Sequence, residues 1–172
     1  MSPSDAAELF DRHHLAVFRF LRRMTGSPSL AEDLTQEVFL RVVRGLDAYE
    51  DRSREISWIF RIARNVLVDR HRARARLPPG QSMQDAAIIS RPATQHLTAM
   101  LDEALASLGE EDRQAFLMRE VGGLGYREIS EACDITADAA RMRIYRARVA
   151  LREALGPWRP AAAAATPKEA SK

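Results

Sequence analysis

The feature that most constrains the fold is a stretch near the middle of the chain, residues 77–94, that interrupts an otherwise helical pattern. It contains three prolines and one glycine, carries almost no charge and shows no amphipathic period. Such a composition favours a semi-extended linker. The linker separates residues 1–76 from residues 95–156. Each segment is small for an independent core, so we expect two small domains of marginal stability.

Helical periodicity runs through both segments, and strand-like alternation never extends beyond a few residues. We therefore predict an all-α fold. The first predicted helix covers residues 5–24 and ends at Gly26. The second opens where Ser29 and Glu32 match a capping box, and it stops at Gly45.

A third predicted helix begins after Ser53, its expected cap, and runs to about Arg76. One stripe of it forms the predicted core face: Ile59, Ile62, Ala63 and Val66. Residues at spacings of three and four line the opposite, outward face: Trp58, Arg61, Asn65, Asp69 and Arg72. A tryptophan can stack on an unpaired base, and the neighbouring Arg and Asn can bind the backbone of that strand. Packing of Trp58 against a neighbouring helix is the alternative.

The second segment predicts a helix-turn-helix. The segment begins with a leucine stripe. A helix with acids in its first turn follows and ends at Gly122-Gly123, and a short helix then covers residues 126–133. After a turn, Thr136 caps a final helix that ends near Gly156. Residues 157–172 form a tail that we predict to be disordered. The leucine stripe consists of Leu97, Leu101, Leu105 and Leu108.

The final helix divides into two faces at 100° per residue. Its predicted buried stripe consists of Ala140, Ile144, Ala147 and Leu151. The exposed side offers arginine to phosphates or guanine edges, and two larger side chains to apolar base contacts. This side contains Arg141, Met142, Tyr145, Arg146 and Arg152, with Arg148 on its margin.

Charge distribution points to polyanion contacts, although the net charge is only +2. Residues 61–76 hold six arginines and one acid, and residues 139–152 hold five arginines and no acid. These two concentrated basic segments suit two nucleic-acid contacts, with solvated helix faces as the alternative.

Enzymatic chemistry has no support in the sequence. A phosphate-binding glycine loop is missing, and adjacent His13 and His14 diverge on a helix, so they cannot easily share a metal. The single cysteine, Cys133, excludes an internal disulfide and suits a reducing cytosol. We predict neither a catalytic site nor a metal or other cofactor. The N-terminus does not read as a secretory signal, and we expect a cytoplasmic protein without membrane insertion.

Four segments together resemble the extracytoplasmic-function sigma factors of bacterial RNA polymerase, which retain only conserved regions two and four. They are AEDLTQEVFLRVVRGLDAY, SWIFRIARNVLVDRHR, LGYREIS and RMRIYRARVALREAL. The resemblance covers about residues 5–156. It implies a factor that binds core RNA polymerase and directs it to promoter DNA, controlled by an anti-sigma factor. In this reading residues 1–76 are region two and residues 95–156 are region four.

The resemblance also implies roles for individual residues. Core polymerase would be bound by Asp33, Gln36, Glu37 and Arg41. The minus-ten element, as a melted single strand, would be read by a loop and the helix after it: Tyr49, Arg52, Ser53, Trp58, Arg61 and Asn65. The minus-thirty-five element, as duplex, would meet Arg141, Met142, Tyr145, Arg146 and Arg148.

Several acids depart from the family pattern. Glu50 and Asp51 stand near the start of the loop, where the family commonly has a glycine, and Glu55 stands where it usually has an apolar residue. Asp138 lies at the start of the recognition helix. Each would repel a nearby phosphate, unless Asp138 reads a cytosine amino group. Two other functions remain open at this stage: a helix-turn-helix regulator that binds duplex DNA without polymerase, and a helical adaptor for acidic proteins.

Overall fold

A computed structural model describes residues 3–49, 54–76 and 93–156 of the chain. All regular elements in these ranges are helical, which confirms the predicted fold class. The predicted linker falls mostly on residues 77–92, outside the described residues, as do Ser53 and the tail. The seven described α-helices are α1 (Pro3–Thr25), α2 (Pro28–Gly45), α3 (Glu55–Ala75), α4 (Ala93–Ala106), α5 (Glu110–Glu120), α6 (Tyr126–Cys133) and α7 (Ala137–Leu155).

The start of α2 differs from the prediction. Gly26 adopts a positive φ of 72°, and the cap is Ser27, whose side chain accepts a hydrogen bond from the Leu30 amide at 3.3 Å. Pro28 fits the first helical position because its missing N–H would have no helical partner there. Ser29 therefore lies inside the first turn, and the predicted capping box with Glu32 is wrong.

Helices α1 to α3 form the N-terminal half, which packs its apolar stripes around a shared core. Val17, Phe20 and Leu21 of α1 are fully buried, and α2 buries Leu34, Val38 and Val42 against them. The Phe20 ring meets the Phe60 ring of α3 edge to face, with centroids 5.3 Å apart. A 3₁₀ turn, Leu46–Ala48, follows α2.

Helices α4 to α7 form the C-terminal half, in which α6 and α7 make the predicted helix-turn-helix. Asp134 takes the left-handed conformation at the end of α6, with φ of 56°. The Thr136 hydroxyl then accepts from the Ala139 amide at 3.1 Å, which confirms the predicted cap. All four residues predicted for the α7 stripe are buried: Ala140, Ile144, Ala147 and Leu151.

The two halves pack against each other, mainly through α3 and α6. Phe60 and Leu67 of α3 are buried beside the predicted Ile59 stripe, so α3 has a second covered side. A Cβ at Gly122 would lie 2.7 Å from the tip of the Phe60 ring. The absence of a side chain at Gly122 thus lets the two halves approach closely.

Candidate nucleic-acid interface

Helix α7 presents its predicted outward face to solvent. Tyr145 and Met142 are 62% and 51% exposed, so the solvent side of α7 carries two large side chains. Arginines surround them on the same side, and the buried stripe behind fixes the orientation of the helix. The exposed arginines are Arg141, Arg146, Arg148 and Arg152.

The basic face of α7 is paired with acids of the helices beside it. Arg146 donates two hydrogen bonds to Asp112, at 2.8 Å and 2.6 Å, and Arg148 donates to Glu120 at 2.7 Å. These carboxylates raise the pKa of both arginines. The sequence predicted acids at the α5 N-terminus for the helix dipole, but not this pairing. A phosphate at this face would have to compete with these acids.

Asp138, one of the acids that departs from the family pattern, is paired as well. Its carboxylate accepts from Arg141 at 2.9 Å, one turn along α7. The Arg141 guanidinium also lies over the Tyr126 ring, 5.4 Å from its centroid. Two neighbours therefore hold Arg141 near the start of the predicted recognition helix.

Trp58 is less exposed than the sequence predicted. Its ring stacks on Tyr49, with centroids 4.3 Å apart and planes 12° from parallel. A Cβ at Gly45 would lie 3.1 Å from the indole edge, so the glycine leaves room for the ring. Trp58 is half-buried in this arrangement and joins the start of α3 to the residue after the 3₁₀ turn.

The other predicted strand-binding residues of α3 differ in their contacts. Asn65 is exposed. Arg61 donates to the main-chain oxygen of Glu131, from Nε at 3.2 Å and from Nη2 at 2.7 Å. The C-terminal half thus contacts a residue predicted to bind DNA. Arg52 and Ser53 lie outside the described residues.

Glu55, the acid at the start of α3, is held by two side chains of α1. Arg12 donates to its Oε1 at 2.6 Å, and His13 Nε2 lies 3.0 Å from the same oxygen. The two contacts fix the first turn of α3 against α1. They also partly offset the negative charge that would otherwise repel a nearby phosphate.

The residues predicted to bind polymerase divide between two sides of α2. Asp33 and Gln36 are exposed, whereas Glu37 and Arg41 are half-buried and paired at 2.7 Å. Arg41 also donates to Asp69 of α3 at 2.7 Å, and the hydrogen bonds to Asp69 and Glu37 raise its pKa. Arg41 therefore joins α2 to α3.

Two exposed apolar residues of α2 were missed by the sequence reasoning. Leu40 and Val43 are 51% and 54% exposed. At 100° per residue they share a face with Asp33 and Gln36. Their signal in the sequence was that large apolar residues lie off the buried stripe of an amphipathic helix.

Cys133 packs as an apolar residue. It is 3% exposed, and its Sγ lies 3.7 Å from the sulfur of Met118. Burial raises the pKa of its thiol, which disfavours the reactive thiolate. Within the described residues, neither a cluster of three potential metal ligands nor a helix able to cross a membrane is found.

The two halves coincide with two known family models. Residues 9–77 match sigma-70 region 2, and residues 98–151 match sigma-70 region 4. This combination of a helical region 2 with a region 4 helix-turn-helix defines a bacterial transcription initiation factor of the sigma-70 class.

Individual relatives identify the family within the sigma-70 class. The chain is 36% identical to the RNA polymerase sigma factor CarQ of Myxococcus xanthus, over 87% of this chain and 88% of that protein. It is 35% identical to the ECF RNA polymerase sigma factor SigE of Mycolicibacterium smegmatis, over 86% of this chain and 60% of that protein. The chain belongs to the extracytoplasmic-function (ECF) sigma factors, which direct promoter-specific transcription as non-catalytic, DNA-binding subunits of RNA polymerase.

The fold also matches a solved structure. The sigma factor RpoE in complex with the anti-sigma factor NepR, from Bartonella quintana, superposes with a TM-score of 0.73. The match covers 91% of this chain and 99% of that chain, at 22% sequence identity. At this identity the likeness concerns the fold.

Proposed function

We propose that this sigma factor recognises its promoters with two separate surfaces, divided as residues 1–76 and 95–156. The C-terminal half binds the minus-thirty-five element as duplex, and the N-terminal half binds the minus-ten element as a melted single strand. The observation that carries the proposal is the exposed face of α7, where Tyr145 and Met142 lie among arginines in a helix-turn-helix. The chain itself catalyses no reaction, needs no cofactor and acts in the cytoplasm, where polymerase and DNA are found.

Duplex recognition is supported by the chemistry of α7. An arginine can bond a guanine edge with two hydrogen bonds, and an exposed apolar side chain can contact a thymine methyl group. The first half of the helix is the part that reaches base edges in this motif, and it contains Arg141, Met142, Tyr145 and Arg146. Arg148 lies farther along and suits a phosphate contact.

Single-strand recognition is supported by the start of α3. Asn65 and Arg61 share one face of α3 with Trp58, whose ring stacks on Tyr49. Aromatic rings stack on unpaired bases, and cationic side chains hold the backbone. Binding a strand only after it separates selects DNA that can be opened and stabilises the open state. Arg52 and Ser53 are part of the same proposal on the family resemblance alone.

Polymerase binding is assigned to the outer face of α2. Asp33 and Gln36 provide polar contacts there. Leu40 and Val43 provide apolar surface that becomes buried when polymerase binds. Exposed apolar side chains in one patch are typical of a protein interface. Glu37 and Arg41 lie at its border, where Arg41 pairs with Glu37 within α2 and with Asp69 of α3.

We also propose that an anti-sigma factor controls this chain. The support is the fold match to a sigma factor solved with its anti-sigma factor, together with exposed apolar and basic faces that a partner could cover.

The decisive experiment is run-off transcription with purified chain, sigma-free core polymerase and a library of genomic fragments from the source organism. We expect transcripts from a small set of start sites that share two upstream elements. No transcript from any fragment would exclude the proposal. Binding to duplex DNA without a need for polymerase would instead favour a helix-turn-helix regulator.

A pair of matched variants tests the α2 face. Leu40→Ala should weaken binding to core polymerase, whereas Leu15→Ala, on α1, should not, although both leucines are about half exposed. Affinities for core polymerase, measured with fluorescently labelled chain, compare the two. If both variants bound core polymerase with the affinity of the wild type, Leu40 would not be part of the interface.

A further inference from the structure

The start of α3 is held by a contact with α1 and not by a helix cap. Helices α2 and α7 each begin at a hydroxyl, Ser27 or Thr136, that accepts a hydrogen bond from the first turn. Arg54, in the same position before α3, makes no such bond. Glu55, the first residue of α3, suits the positive end of the helix dipole. The dipole does not fix the direction in which the helix starts, which requires a contact with another element.

That contact is a cluster of Glu55 with Arg12 and His13 of α1, which we call the Glu55 anchor. Oε1 of Glu55 accepts from Arg12 Nη1 at 2.6 Å and lies 3.0 Å from His13 Nε2. The side chains of His13 and Glu55 are only 13% and 20% exposed, so solvent screens the cluster less than a typical surface pair. Because a charge-assisted hydrogen bond is short and directional, the anchor fixes both the position and the orientation of the first turn of α3.

The residues that the anchor orients are those assigned to the melted strand. Trp58 follows Glu55 by three residues, so it lies within one turn of the anchor. Its ring stacks on Tyr49, and Arg61 and Asn65 continue the same face of α3. A shift of the first turn would therefore move the whole face relative to the strand, although α1 itself has no assigned contact with DNA.

Glu55 is one of the residues at which this chain departs from the family pattern, which usually has an apolar residue there. An apolar side chain would hold the helix against α1 without directional bonds. A carboxylate near the strand would, by its charge alone, repel phosphate. Removal of the charge should therefore help DNA binding if Glu55 acts only through repulsion, and impair it if Glu55 orients the helix. The two effects have opposite signs, so an experiment can separate them.

We propose that the Glu55 anchor prepares the start of α3 for the melted strand and makes Arg12 and His13 positioning residues for promoter opening. The anchor holds Trp58 in place before the strand separates, so less ordering remains to be done when the unpaired base binds. This inference rests on the proposed reading of the melted strand by α3. Polymerase binding, which is assigned to the outer face of α2, does not depend on the anchor.

The first test compares charge reversals in the holoenzyme, on a promoter found by run-off transcription, with opening followed by permanganate footprinting. Glu55→Arg places a cation against Arg12 and His13. It should slow opening roughly three- to fivefold, although the added charge attracts phosphate. The control, Asp11→Arg, makes the same charge change on an exposed acid of α1 and should not slow opening. The double variant, Arg12→Glu with Glu55→Arg, has the wild-type net charge, restores the ion pair and should recover most of the rate.

The second test uses a milder pair of variants, for which circular dichroism should show the helicity of the wild type. Glu55→Gln keeps the shape of the side chain but weakens its bonds to α1, and it should slow opening about twofold. The control, Asp11→Asn, removes the same charge from α1 and should not slow opening. Fluorescently labelled chains should bind core polymerase with the wild-type affinity in every case, which a general loss of structure would not allow.

The outcomes separate the anchor from the proposed function. Opening by the Glu55 variants as fast as by their Asp11 controls, or faster, would overturn the anchor, and so would no recovery in the double variant or an equal loss of polymerase binding. If Trp58→Ala slows opening and the Glu55 variants do not, the proposed function stands and only the anchor fails. If the wild-type holoenzyme opens no promoter, both fail.

Discussion

The arginines of α3 and of α7 are bound in opposite ways. On α7, Arg146 and Arg148 pair with carboxylates of α5, within the C-terminal half. On α3, Arg61 bonds a main-chain oxygen of the other half, 70 residues away. The α7 face therefore keeps its contacts whether or not the halves separate, whereas Arg61 must lose its contact when they do.

The difference suits the DNA that each surface is proposed to meet. Duplex DNA is present before initiation, and a basic helix paired with nearby acids can exchange those acids for phosphates at any time. A separated strand exists only after the duplex opens. A donor that becomes available through a change in the arrangement of the halves can act at that later stage. The variants below test this contrast, from the largest expected effect to the smallest.

The largest effect is expected where the two halves share a core residue. Phe60→Ala should lower the free energy of unfolding by about 3–5 kcal/mol, because it removes a fully buried ring between Phe20 and Gly122. The measurement is urea denaturation followed by circular dichroism. The matched control, Phe10→Ala, removes a ring that is 43% exposed and should cost less than half as much. Equal losses would show that Phe60 contributes no more than a surface ring.

On the α7 side, Arg146→Ala should weaken binding of the holoenzyme to promoter DNA by roughly tenfold, since the variant loses a bidentate contact to a base. Gel-shift titrations on a promoter found by run-off transcription give the affinity. Arg152→Ala is the control, because Arg152 lies on the same side but near the end of α7. A loss shared equally by both variants would indicate phosphate attraction without base recognition.

On the α3 side, Trp58→Ala should slow formation of the open complex by about fivefold, with little change in core polymerase binding. The variant removes a ring that stacks on Tyr49 and that we assign to the unpaired strand. Permanganate footprinting of the melted region reports opening, and labelled chain reports polymerase binding. An equal decrease in both would mean that Trp58 only packs the start of α3. Trp58→Phe, which keeps an aromatic ring, should retain most of the activity.

The sequence predicted best the features that depend on near neighbours. The α7 stripe followed from helical periodicity, and Thr136 was identified as a cap because a polar residue precedes the helix at the right place. The misplaced cap at Ser29 shows the limit of such local signals, because Ser27 and Ser29 flank the same proline. Choosing between them required the position of the first turn.

Contacts between the halves could not be predicted in this way. Periodicity indicates that one side of α3 is buried, but it cannot show that α6 covers Phe60 on a second side. The bonds from Arg61 to Glu131 and from Arg146 to Asp112 join residues 70 and 34 positions apart. A charge count treats these groups as separate basic and acidic segments. Only the tertiary arrangement shows which of them are paired.

The smallest effect tests the pairing within the C-terminal half. Asp112→Asn removes the charge that opposes phosphate at Arg146, and it leaves an amide that can bond the guanidinium only through its oxygen. The free chain should therefore bind duplex DNA of arbitrary sequence about two- to threefold more tightly at low salt. Fluorescence anisotropy at several salt concentrations measures this, with Glu103→Gln, an equal charge change on an exposed residue of α4, as the control. A lower affinity for Asp112→Asn than for the control would reverse the interpretation: Asp112 would then hold Arg146 in the position that DNA requires, and its loss would leave the arginine without that support.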